Sequence, residues 1–278
     1  LYGDALAEGG YCSIMGNNVG TDISGTYSIY NDAHNTTPIS SGKGAVSVLT
    51  NFSLSAIGGP GGTIPGGPCT GFCNLVSGNA GGFDLASGIE IGGPGIVGIF
   101  NNYVGTKRNG METLGNNGSG IDMASTIVPE AAPAYYAGGQ TIDDGSLGNL
   151  VAGNSTFSGI GAISNGGPGD YHILSNLVGT NVNNTSALPN GFGIYVGTFA
   201  SNTVEIGDIS PLGRNVIAGN ASDGIAVLTG YAVKIVNNAI GVTSTNVSRG
   251  NGINGINMGN LIPAYNTTIG GTDATSAN

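Results

Sequence analysis

Six residues recur three times in this chain with little change: Asn74-Leu75-Val76-Ser77-Gly78-Asn79, Asn149-Leu150-Val151-Ala152-Gly153-Asn154 and Asn215-Val216-Ile217-Ala218-Gly219-Asn220. An internal repeat restricts a chain more than local propensity does, because like units bury their apolar faces by stacking on one another. Three further blocks recur with it. Asn238-Ala239-Ile240-Gly241 is echoed at 176–179, at 102–105 and, in shortened form, at Asn18-Val19-Gly20. Glycine followed by alternating apolar residues begins at Gly44, Gly88, Gly120, Gly193, Gly224 and Gly255. Ile57-Gly58-Gly59, Ile206-Gly207-Asp208 and Ile269-Gly270-Gly271 each open a new cycle.

Period-two alternation over short segments marks strands, and the intervening Gly and Asn mark corners that need unusual dihedrals. Gly20 to Gly105 is 85 residues, Gly105 to Gly179 is 74 and Gly179 to Gly241 is 62. The shortest cycle divides into three segments of about 21 residues, which reads as three coils of a parallel β-helix and predicts about 12 coils in all. The longer cycles then carry insertions near 60–73 and 126–140. In this register Val233/Ile235, Tyr171/Ile173, Val97/Ile99 and Cys12/Ile14 share inward columns, while His172, Lys234 and Ser13 share an outward one.

The succession of Ile-Gly-Gly, Asn-Val-Ile-Ala-Gly-Asn, Gly-Ile-x-Val and Asn-x-Ile-Gly-Thr resembles the repeats of secreted right-handed parallel β-helix proteins, similar in fold to pectate lyases. The resemblance spans nearly the whole chain. It implies an all-β fold, a single right-handed parallel β-helix over residues 1–278. The superfamily includes polysaccharide lyases and hydrolases, phage tailspikes, adhesins and surface-layer components, so the fold does not select a function.

Composition excludes several classes. With 54 Gly, the chain is unsuited to helical bundles, and its uneven Gly spacing with only 11 Pro is not collagen. A net charge of −10 on only 22 charged residues argues against a nucleic-acid partner. No apolar run is long enough for a transmembrane helix. Cys69 and Cys73 bracket Thr70-Gly71-Phe72 and read as a disulfide-closed loop of an oxidising compartment, while Cys12 falls on an inward position. The expected location is therefore extracellular or at a cell surface. Acceptor sequons for glycosylation stand at Asn35, Asn51, Asn117, Asn154, Asn183, Asn184, Asn220, Asn246 and Asn266.

Chemistry is sparse, and no catalytic residue, metal site or cofactor is assigned. Asp143-Asp144 is an adjacent acidic pair, Lys107-Arg108 with Glu112 reads as a charged surface loop, and Asp170 and His172 share a face without a visible third group. Gly250, Gly252 and Gly255 match a nucleotide-binding spacing without the strand–helix context it requires. Gly166 to Asp170 lacks the repetition of a calcium-binding nonapeptide, and Thr21, Thr106 and Thr180 mark a single corner. Aligning Ile269 with Ile206 sets Asn278 opposite Asn215, and aligning Asn18 with Asn238 sets Leu1 opposite Ala221. Neither end has the pattern of a cap. The expectation is a segment of a longer β-helix, or a structural or adhesive subunit that stacks end to end on copies of itself, with glycans as further partners. The enzymatic alternative is a lyase or hydrolase acting on an outer face, and a tailspike-like glycan-binding module is a third reading.

Overall fold

The computed structural model describes residues 11–29, 43–49, 54–59, 67–79, 86–93, 95–125, 133–139, 148–164, 167–198, 202–259, 266–271 and 277–278. In chain order the strands are β1 (Tyr11–Ile14), β2 (Asn18–Val19), β3 (Lys43–Leu49), β4 (Leu54–Ile57), β5 (Leu75–Val76), β6 (Ala86–Gly92), β7 (Ile96–Ile99), β8 (Tyr103–Val104) and β9 (Ile121–Ser125). They continue as β10 (Ala134–Ala137), β11 (Leu150–Val151), β12 (Ser158–Ser164), β13 (Gly169–Ile173), β14 (Leu177–Val178), β15 (Phe192–Gly197) and β16 (Asn202–Ile206). The last are β17 (Val216–Ile217), β18 (Ile225–Thr229), β19 (Ala232–Ile235), β20 (Ala239–Ile240), β21 (Ile256–Met258) and β22 (Thr268–Ile269). Every third strand belongs to the same sheet. One sheet runs β1-β4-β7-β10-β13-β16-β19-β22, the second β2-β5-β8-β11-β14-β17-β20, and the third β3-β6-β9-β12-β15-β18-β21. All pairings within them are parallel, so the chain is a three-sided parallel β-helix.

The coils are longer and fewer than the repeat spacing predicts. Measured along the first sheet, coil length runs from 43 residues, Cys12 to its partner Ser55, down to 29, Val204 to Val233. Among the described residues there are seven coils and the opening of an eighth, instead of about 12 coils of about 21 residues. The 62-residue cycle holds two three-sided coils. Tyr171 and Val233 do share a column as expected, but Val204 lies between them. Residues 134–137, in a stretch expected to be an insertion, form the regular rung β10, whose Tyr135 sits between Val97 and Tyr171. The expected insertions at 60–66 and 126–132 lie outside the described residues.

The period covers two coils because alternate coils differ at one corner. After β5, β11 and β17 the chain turns at once, through Ser-Gly-Asn or Ala-Gly-Asn. After β2, β8, β14 and β20 it runs out into a loop closed by an antiparallel bridge: Thr21 with Ser28, Thr106 with Thr113, Thr180 with Ala187, Val242 with Ser248. These loops stack into a ridge. Arg108 N donates to Gly25 O at 3.0 Å, Val182 N to Gly110 O at 2.9 Å, and Asn184 Nδ2 to Ser244 Oγ at 3.1 Å. Rungs rise about 4.8 Å, and a loop bearing its own side chains is about twice as thick, so it fits only on every second coil.

Two columns of asparagine, buried except at Asn17, Asn251 and Asn278, flank the second sheet. On one side each Nδ2 donates to the next Oδ1 through Asn17, Asn74, Asn102, Asn149, Asn176, Asn215, Asn238 and Asn278 at 2.9–3.1 Å. On the other the series is Asn79, Asn116, Asn154, Asn190, Asn220 and Asn251 at 2.8–3.1 Å. The second amide hydrogen goes to a main-chain carbonyl of the preceding coil, as from Asn149 to Ile99 O. Asn278 occupies the column of Asn215, as the repeat alignment predicts.

Inside the prism, strand alternation sends Ile89, Ile91, Ile99, Ile121, Ile160, Ile173, Ile194 and Ile235 into one buried core. Tyr135 and Tyr171 join it with ring centroids 5.4 Å apart, and their hydroxyls reach Gly93 O and Ile163 O. Each buried tyrosine thus keeps its polar tip bonded. Cys69 and Cys73 are disulfide-bonded, and free Cys12 is half-buried on the first rung, in the column of Ser55 and Val97. Gly105 takes φ +88° at the corner after β8, where a Cβ would meet Ala152 O at 2.3 Å, so only glycine fits.

Replacing an interior ladder residue strands several buried donors and acceptors at once, each worth about 1–3 kcal/mol. Asn149→Ala is therefore expected to lower the melting temperature, read by circular dichroism, far more than Asn183→Ala, whose exposed position predicts a change within about 0.5 kcal/mol.

Candidate functional site

Outward side chains of the first sheet line up one per rung. The column through Gly98, Tyr136, His172, Glu205, Lys234 and Thr268 follows from the pairing of β7, β10, β13, β16, β19 and β22. Because the strands are parallel and in register, residues far apart in sequence become neighbours here. The Tyr136 and His172 rings stack with centroids 4.6 Å apart and planes 7° from parallel. His172 Nδ1 lies 3.2 Å from Glu205 Oε2, and Lys234 Nζ donates to Glu205 Oε1 at 2.8 Å. One row further out, the Thr203 hydroxyl donates to Asp170 Oδ1 at 2.5 Å.

Asp170 and His172 therefore do share the outward face of β13. The third group missing from the sequence reading is present. It is Glu205, with Tyr136 on the other side, and both belong to the rungs β10 and β16 that the 21-residue division conceals. A carboxylate holding an imidazole on one oxygen and an ammonium on the other fixes both side chains in place. That composition serves acid–base chemistry or the binding of a polyhydroxylated or anionic chain.

The third sheet carries a different outward column: Ser47, Glu90, Asp122, Gly161, Tyr195, Ala226 and Asn257. Glu90 and Asp122 are direct register partners on β6 and β9. Burial raises both carboxyls. Asp122 is pushed up to about 7, first by desolvation and then by the Glu90 charge. Desolvation also raises Glu90, opposed by the Gly44 N–H donated to its Oε2 at 3.0 Å. The repeat alignment already set these residues at equivalent positions, in Gly88-Ile89-Glu90-Ile91 and Gly120-Ile121-Asp122-Met123. Their burial had no sequence signal, since outward positions of a β-helix are ordinarily wet.

The remaining candidates are structural or dispersed. Lys107 pairs with Glu112 across its own loop, and Arg108 donates to Asn18 Oδ1 at 2.7 Å and to the carbonyls of Ile23, Ser24 and Cys69, tying one loop of the ridge to the next. In the first loop, hydrogen bonds from Ser24 foremost, with Tyr27 and Thr26, hold Asp22 down to about 2. Asp143 and Asp144 lie outside the described residues, as do the sequons Asn35 and Asn51. The chain matches no protein-family model, no curated protein and no solved structure.

The other sequons divide sharply. Asn154 and Asn220 are ladder residues, 0% and 2% exposed, so a glycan there is incompatible with the fold. Asn117 and Asn184 are half-buried, while Asn183, Asn246 and Asn266 are exposed. Expressed in a glycosylating host, the folded chain is expected to carry glycan at Asn183 or Asn246 and none at Asn154 or Asn220, by peptide mass spectrometry. The charged row is a surface feature, so Glu205→Gln is expected to alter stability by less than about 1 kcal/mol.

Proposed function

We propose that this chain is an extracellular structural or adhesive β-helix whose subunits stack end to end into a surface filament or sheath. The observation that carries the reading is the direction of the asparagine ladders. Every rung donates its amide to the next, so the stack is polar, with side-chain acceptors facing one way along the axis and amide hydrogens the other. A second copy placed head to tail continues both the ladder and the parallel pairing, a heterologous contact that propagates. Apolar side chains exposed on the outermost described coils, Met15 on one side and Ile253 and Ile269 on the other, favour such a contact. The Cys69–Cys73 disulfide suits an oxidising location. So does the repeat resemblance to secreted β-helix proteins of pectate-lyase-like fold.

A second reading, catalysis on acidic polysaccharides, draws on the Tyr136–His172–Glu205–Lys234 row. Electron microscopy of the purified chain separates the two. Fibres whose subunits join along the helix axis are expected, and dispersed single rods at every concentration tested would overturn the assembly. New reducing ends or unsaturated sugars after incubation with acidic polysaccharides, lost in Glu205→Gln, would establish the second reading.

A further inference from the structure

We propose that Glu90 and Asp122 form a proton-held latch on the outer side of the third sheet, joining β6 to β9 while one carboxyl is protonated and loosening that rung when both ionise. Strand pairing sets the two residues directly opposite each other, with adjacent strands about 4.8 Å apart. The inward neighbours Ile89, Ile91, Ile121 and Met123 are locked in the core, so neither strand can rotate its acid away. Glu90 is only 6% exposed. Asp122 as a residue keeps some exposure, yet its Oδ1 is sealed from water and has no hydrogen-bond partner.

The described side chains facing the pair carry no positive charge. From β3 come Ser47 and the Gly44 amide, from β12 the bare Gly161, whose added Cβ would lie 2.9 Å from Asp122 Oδ1, and from β15 Tyr195 one rung beyond. The position of Lys43 shares the alternation of Ser47, four residues earlier on β3. Among the described residues no Lys, Arg or His forms an ion pair with either acid. A buried carboxyl without a counter-cation is stable in its neutral form, and two side by side cannot both be charged without strong repulsion.

The sign of the effect follows from linkage. The folded state holds the Asp122 proton to about pH 7, whereas an unfolded chain releases it near 3.9. Between those values the folded state binds more protons, so stability falls as pH rises from about 4 to about 7 and levels off above. Asp22, held down to about 2, acts oppositely and only below about pH 4, so the two windows do not overlap.

The test is amide hydrogen exchange on the full-length folded chain from pH 5 to 8, expressed as protection factors and paired with thermal melts. Protection of the β6 and β9 amides is expected to fall at least about tenfold across that range, with β16 and β19 less affected. Asp122→Asn should abolish the fall and raise the melting temperature at pH 8 but not at pH 4. Glu90→Gln provides an independent variant should Asp122→Asn fail to fold. Protection that is flat from pH 5 to 8 in the unsubstituted protein, or a fall that persists undiminished in either folded variant, overturns the latch.

Discussion

The bonds between stacked asparagine side chains set the geometry on which the rest of this protein depends. At each corner beside the second sheet a buried amide accepts from the preceding rung's main-chain N–H, its side chain, or both, and donates to the next rung and to a carbonyl one coil back. All of its polar atoms are used without water, which makes full burial of so polar a residue tolerable. Since the arrangement repeats only when coils stay in register, the ladders turn a local hydrogen-bonding requirement into a global alignment.

With the corners pinned, coil length is free to vary. Coils that measure 29 to 43 residues along the first sheet stack with the same three sheets because extra residues leave the prism as loops. The spacing of successive ladder asparagines shows the two alternatives: Asn149 to Asn154 turns directly, whereas Asn102 to Asn116 and Asn176 to Asn190 enclose a protruding loop. The thickness of those loops imposes the two-coil period, and their contacts form a ridge running beside the second sheet.

Columns that are apolar inside carry the chemistry outside. Parallel, in-register pairing brings together residues roughly 30 to 40 positions apart, so Tyr136, His172, Glu205 and Lys234 make a connected row although no two share a motif. The same rule forces Glu90 and Asp122 together, an arrangement that repels once both ionise and that the isoleucine columns on the opposite side of those strands hold in place. One face thus gathers compensating charges and another an uncompensated pair.

The sequence alone determined the all-β repeat architecture, the inward columns through Val233 and Ile235, the outward position of His172 and the phase relation of Asn278 to Asn215. These depend on period-two alternation and on residues that only tight corners demand, and both are written locally. Tertiary structure decided how many coils there are, since a rung such as β10 lacks the repeated blocks and is recognised only by its pairing. It likewise decided that Asn154 and Asn220 are ladder members closed to modification, that Glu205 completes the group around His172, and that Glu90 and Asp122 lose their water. Burial and cross-coil neighbours arise from stacking distant segments, a property of the folded prism that no single stretch of chain contains.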